Sequence, residues 1–213
     1  ALRRLVASSS VVLWIDRRVD PGERVTLQSK SLPLGELIAA VAQDCGLGTA
    51  ELDGVVYLGP KGSAEKLSAL AADWRVSATA RLKRLASREW SRLSTPRELA
   101  SQIAADAGCQ LVNPEAIPHD LLPADGFNEM AHGDQLMLVL LGFDLRWRPT
   151  EADAKRLRVE PIDYATLRET KPAREKRGEG QGVATEQRFT LRVAEQPAGA
   201  VLRQLTKQLQ LKL

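Results

Sequence analysis

A segment near the start of this chain returns, without a gap, at its end. Val25 to Thr49 aligns with Phe189 to Leu213 at a constant offset of 164 residues. The pairs Thr26/Thr190, Leu27/Leu191, Pro33/Pro197, Gly35/Gly199 and Leu47/Leu211 are identical, and apolar residues match at Val25/Phe189, Leu37/Val201, Ile38/Leu202, Val41/Leu205 and Cys45/Leu209. A self-match of this kind means that one small folding unit is used more than once, which constrains the architecture before any single motif does. A looser third copy lies between, at an offset of 62, through Glu36/Glu98, Leu37/Leu99, Val41/Ile103, Ala42/Ala104, Asp44/Asp106 and Gly46/Gly108.

Each copy predicts a helix with one apolar stripe. The stripes are Leu34, Leu37, Ile38, Val41 and Cys45; Pro96, Leu99, Ala100, Ile103 and Ala107; and Ala198, Val201, Leu202, Leu205 and Leu209. Apolar side chains at this spacing share one face of a helix of period 3.6, suited to lie on a sheet. Thr95-Pro96-Arg97-Glu98 predicts a capping box with proline at the first helical position. Pro33 and Pro197 hold the same first-turn slot, and Gly46 and Gly108 end their helices, where the left-handed conformation suits glycine.

Strands flank the helices. Val25 and Leu27 alternate with Thr26 and Gln28, as Phe189, Leu191 and Val193 do with Thr190 and Arg192, the period of a strand with one buried face. Asp53-Gly54, between Leu52 and Val55, predicts a tight hairpin. Val11 to Ile15 predicts an earlier strand in the same sheet, followed by an Asp20-Pro21-Gly22 turn. The fold class is therefore α+β, built from repeated strand-helix-hairpin modules, each a helix packed on a small sheet.

Val25 to Leu47, with Ile15 to Gly22 before it and the hairpin after it, resembles the secretin/TonB short N-terminal domain, called STN. Phe189 to Leu213 resembles the first half of a further copy. The resemblance implies small modules of the Gram-negative cell envelope that act by protein contact and carry no catalytic residues or cofactor. It implies a periplasmic or cell-envelope location and a protein partner there. No secretin pore, receptor plug or barrel accompanies it, so signalling and secretion are not implied.

The domain reading follows. Residues 1–61 form an STN-like unit, 62–74 a bridging helix with Leu67, Leu70 and Ala71 inward, and 75–167 a larger unit with an insertion at 113–133. Residues 168–183 read as a flexible charged linker, because so few apolar side chains cannot offset the entropy of ordering. Residues 184–213 form a third, incomplete unit, so a longer natural polypeptide is expected. Leu136 to Leu141 is apolar all round and suits a buried helix. The 213 residues, 44% hydrophobic and 27% charged, include no apolar run long enough to span a bilayer.

Candidate chemistry is sparse. Cys45 and Cys109 fall at helix ends, where small apolar side chains pack, and two cysteines make no zinc pattern. His119 and His132, with Asp120, Glu129 and Asp134 nearby, match no ligand spacing, so no metal is expected. There is no GxSxG elbow, P-loop or dinucleotide fingerprint, and an enzyme is not expected. The rival reading is a nucleic-acid or anionic-polymer binder. Arg75, Arg81, Lys83, Arg84, Arg88, Arg92 and Arg97 stand against one acid, Glu89, with Trp74 and Trp90 among them. A net charge of only +3 favours a solvated face instead. Trp90 and Leu93 are expected to anchor the core ahead of the Thr95 cap. Candidate contact residues are Thr190 and Arg192 on the last strand, and Arg81, Lys83 and Arg84.

Overall fold

The structure is a computed structural model that describes residues 12–77, 79–167 and 188–201. In chain order its elements are β1 (Val12–Ile15), β2 (Arg24–Pro33), α1 (Leu34–Asp44), β3 (Leu47–Leu52), β4 (Val55–Pro60), α2 (Lys61–Ser77), β5 (Leu85–Trp90), α3 (Pro96–Asp106), β6 (Gln110–Leu111), β7 (Asp125–Ala131), α4 (His132–Leu141), β8 (Leu145–Pro149), β9 (Arg156–Pro161) and β10 (Arg188–Pro197). A helix begins at 198 directly after β10. This is a mixed α+β protein with several small sheets. The chain divides into two compact units, one formed by Ala1–Leu67 with Lys171–Leu213 and the other by Ser68–Thr170.

In the first unit β3 and β4 form the expected hairpin, with Leu52 opposite Val55. Asp53 and Gly54 turn it with φ of 45° and 81°, the positive values that this two-residue connection demands. β1 lies parallel to β4 on its other side, from Val12 opposite Val55 to Ile15 opposite Leu58. α1 buries Leu34, Leu37, Ile38, Val41 and Ala42, with Cys45 packed at the margin. Gly46 leaves the helix with φ of 67°. At Gly48 the sheet runs so close to α2 that an added Cβ would sit 2.8 Å from Cβ of Ala64.

Two expectations need correcting here. β2 does not join the hairpin sheet; it pairs antiparallel with β10 in a separate two-stranded ribbon. The closing repeat therefore does not stand apart as a third module in its described part. Val193, Ala198 and Val201 enter the same apolar cluster as Val25, Leu37, Ile38 and Val41. The physical reason is that an isolated strand and helix bury too little apolar surface to offset their ordering, whereas α1 and β2 offer a matching face. Leu202, Leu205 and Leu209, and the stretch 168–183, lie outside the described residues.

The second unit holds a β5–β7 antiparallel ribbon and a three-stranded sheet in the order β6-β9-β8. In that sheet β6 runs parallel to β9, and β8 antiparallel to it. β6 is only two residues long, and the side chain of Asn113 continues its ladder. Asn113 Nδ2 donates to the Val159 carbonyl and Oδ1 accepts from the Val159 amide, both at 2.8 Å. α3 carries the capping box in full: Glu98 N donates to Thr95 Oγ1 while the Glu98 carboxylate accepts from Thr95 N. It buries Pro96, Leu99, Ala100, Ile103 and Ala104. α4 is buried along its whole length from His132 to Leu141. The stretch 113–133, expected as an insertion, supplies β7 and thereby the partner of β5.

Candidate interaction site

The β2–β10 ribbon carries an internal symmetry. The registered pairs are Arg188 with Pro33, Phe189 with Leu32, Leu191 with Ser29, Arg192 with Gln28, Val193 with Leu27, Gln196 with Val25 and Pro197 with Arg24. Replacing every residue by its repeat equivalent, 164 positions away, converts each pair into another pair of the same set. Arg192 opposite Gln28 maps onto itself and marks the centre. The two irregularities in the ladder follow the same rule. Ser31 and Glu195, which are equivalent positions, both take left-handed backbone, with φ of 55° and 52°. The two repeats thus face one another about an approximate two-fold axis. Thr190 falls in one irregularity and Arg192 at the centre, so both lie on the ribbon.

Around Glu195 the ribbon is read by specific side chains. Glu195 N donates to Thr26 Oγ1 at 3.1 Å, and Thr26 Oγ1 donates back to Glu195 Oε1 at 3.4 Å. Arg24 Nη1 donates to the Glu195 carbonyl at 3.0 Å and lies 3.9 Å from its carboxylate. Thr26 N donates to Asp44 Oδ2 at 2.7 Å, which ties β2 to the end of α1.

The basic stretch does not form one stripe. Arg75 Nη2 pairs with buried Asp134 at 3.0 Å, with its guanidinium over the Trp74 ring. Arg88 pairs with Asp106 and donates to Gln135 Oε1. Arg97 Nη2 donates to the carbonyls of Ile117 and Glu115. All three guanidinium groups are engaged by partners within the chain, Arg88 as the most enclosed and Arg97 at an exposed position. Arg81, Lys83, Arg84 and Arg92 have exposed side chains. Arg81, Lys83 and Arg84 sit on a turn held by Leu82, which is fully buried. The Gly133 amide donates to the Leu82 carbonyl and the His132 amide to that of Arg84, so the turn is braced on the start of α4. Trp90 is half-buried, tilts against Phe127 at 5.1 Å and donates to the Pro123 carbonyl. Leu93, expected in the core beside it, is 60% exposed, because φ of 71° turns it outward on the way to the Thr95 cap.

Two buried polar clusters escaped the sequence reading. In the first unit Asp16, 1% exposed, accepts from Tyr57 Oη at 2.6 Å and from Arg18 N, Nε and Nη2 at 2.9 Å each. Arg18 Nη2 also donates to Ser63 Oγ. Burial pushes the Asp16 carboxyl up, but the hydrogen bonds from Arg18 and Tyr57 outweigh it and hold the group below its ordinary value of 3.8. Burial and the adjacent carboxylate raise the Tyr57 phenol far above its ordinary range. In the second unit Asp134 accepts from Trp74 Nε1 and Arg75 Nη2, and Trp147 tilts against Trp74 at 5.7 Å. The Asp-Arg-Arg run after an apolar strand was the only available trace of the first; the second pairs residues about 60 apart, for which the sequence holds no signal.

The remaining candidates are quiet. His132 is buried, with Nδ1 lacking a hydrogen-bond partner among the described residues. Burial and the nearby Arg88 hold it below its ordinary value of 6.5. His119 is exposed. Both thiols are free, and burial raises each. Among the described residues no group of three or more His, Cys, Asp or Glu is placed to hold a metal ion. No described helix is long and apolar enough to cross a membrane. No protein-family model, no curated protein and no solved structure matches the chain.

Proposed function

We propose that this chain is a non-enzymatic interaction or structural module of the bacterial cell envelope, built from STN-like units. One observation carries the reading. Each unit combines an antiparallel two-stranded ribbon, β2–β10 or β5–β7, with a three-stranded sheet whose middle strand has one parallel and one antiparallel neighbour. β2-α1-β3-β4 then corresponds to β7-α4-β8-β9, β1 to β6, and β10 with its following helix to β5-α3. A single plan used twice supports a repeated architecture on grounds independent of the apolar spacing, with α1 matched to α4 where the offset of 62 matches it to α3. Partners bind along sheet edges, where an extended segment adds through main-chain hydrogen bonds. Of the outer strands β1, β3, β6 and β8, the antiparallel β3 and β8 are the longer ones and are suited to this.

Photo-crosslinking residues placed at Thr49 on β3 and Arg148 on β8 test the proposal in Gram-negative envelope extracts. The expected product is one discrete protein adduct from an edge position, lost when the crosslinker is moved to an exposed helical site such as Glu65. Adducts spread evenly over all three positions overturn edge binding.

The exposed, braced turn at Arg81, Lys83 and Arg84 favours a second reading, an anionic polymer or nucleic acid. Three engaged arginines out of seven weaken it. Mobility shifts with DNA and RNA at about 0.15 M salt decide it, since phosphate binding is steeply salt-dependent.

A further inference from the structure

We propose that β2 is a strand-acceptor site for β10 of a second copy of this chain, so that copies exchange residues 188–201 and associate. The proposal follows from the register of the ribbon and holds whether or not the units are STN-like.

The donor is joined to its acceptor by pairing, not by a short turn. β10 returns to the first unit only after the chain has passed through the whole second unit, Ser68–Thr170. It is held by a ladder of main-chain bonds to β2, by the Ala198 and Gly199 amides donating to the carbonyls of Glu23 and Pro21, and, among the described side chains, by three that are buried. Those are Val193 at 7%, Ala198 at 2% and Val201 at 0% exposure. A second copy presents the same strand and the same three side chains. The closed and exchanged forms therefore contain identical contacts, and concentration decides between them.

The two-fold relation identifies which strand is accepted. Since β2 resembles β10 in sequence and in its left-handed bulge, a second β2 is the natural competitor. At the bulge, however, β10 offers Glu195 to Thr26 and Arg24, while β2 would offer Ser31, whose side chain is shorter and uncharged. The Arg24 and Glu195 side chains are 68% and 72% exposed, so the pair adds little to stability. Its effect is on choice between two nearly equal strands, where small differences set the ratio.

The experiment mixes two full-length chains, both with Cys45→Ser and Cys109→Ser, one carrying Gln28→Cys and the other Arg192→Cys. After co-incubation at high concentration and mild oxidation, disulfide-linked peptides are counted by mass spectrometry. The expected result is a 28–192 link about tenfold more abundant than 28–28 or 192–192 links, falling several-fold when Glu195→Lys is added to the donor. Equal yields of the three links, or none of the 28–192 link, overturn the proposal. The unmodified chain gives a second reading that no substitution can spoil. Refolded at about 1 mM it should contain a dimer fraction that persists on dilution, absent after refolding at about 1 µM. Monomer alone from both preparations also overturns it.

Discussion

Tyr57 Oη donates to Asp16 Oδ2 at 2.6 Å, joining the centre of β4 to the residue that directly follows β1. Both side chains are withdrawn from solvent, so the contact is a structural clasp on a parallel strand pair that the chain closes through a long excursion.

Tyr57→Phe removes that donor and leaves the carboxylate with Arg18 alone. The expected loss is about 1–3 kcal/mol of unfolding free energy, measured by urea titration. Asp16→Asn should cost at least as much, since Arg18 then loses its ion pair.

The second unit has the same sensitivity at another place. Asp134 has a fully buried side chain that satisfies Trp74 and Arg75 together. Asp134→Ala should lower stability by about 3 kcal/mol, because a partly buried guanidinium and an indole N–H lose their shared acceptor. Loss under 0.5 kcal/mol, roughly the scale of an exposed pair, would contradict the burial.

Gly133 lies under the Trp74 ring, where an added Cβ would meet ring atoms at 2.6 Å. Gly133→Ala should cost about 1–3 kcal/mol through overpacking and shift the tryptophan fluorescence as the Trp74–Trp147 pair is displaced. Gly35→Ala, where nothing lies within 4 Å, is the control and should be neutral or slightly stabilising.

Acid sensitivity should come in two steps. His132 faces Arg88 and Arg84, which disfavour its protonation, and Asp106, which favours it; burial and the arginines prevail. Its folded value lies below 6.5, so the neutral form is preferred on folding. The associated stability is complete above pH 6.5 and is lost as pH falls from there toward the folded value. Asp16 also has a depressed value; its contribution is complete above 3.8 and disappears only below that. Urea titrations across this range should show the first decline vanish in His132→Leu and the second persist.

The periodic features were legible because each is decided within a few residues. The apolar spacing of Leu34 to Val41, the Thr95-Pro96-Arg97-Glu98 cap, the Asp53-Gly54 turn and the apolar run at Leu136 to Leu141 all depend on near neighbours. What the sequence concealed is long-range pairing. Nothing local distinguishes a β10 that opens its own module from one that lies along β2, since both need the same alternation. Arg88 likewise looks like a surface charge until Asp106 and Gln135 are placed beside it. Leu93 misled because its apolar character suggests burial, while the backbone sets its direction.

The amide of Asn113 grips Val159 from both of its polar atoms and acts as one more rung beyond β6. It covers the stretch of the middle strand β9 that the two-residue β6 leaves unpaired, while β8 pairs with β9 along the other side. An incoming strand meets five residues of edge at β8 and only two at β6, and that difference in length gives growth of the layer a direction. Replacing that single amide would strip Val159 of both main-chain partners on that side and bare β9 itself beside the short β6.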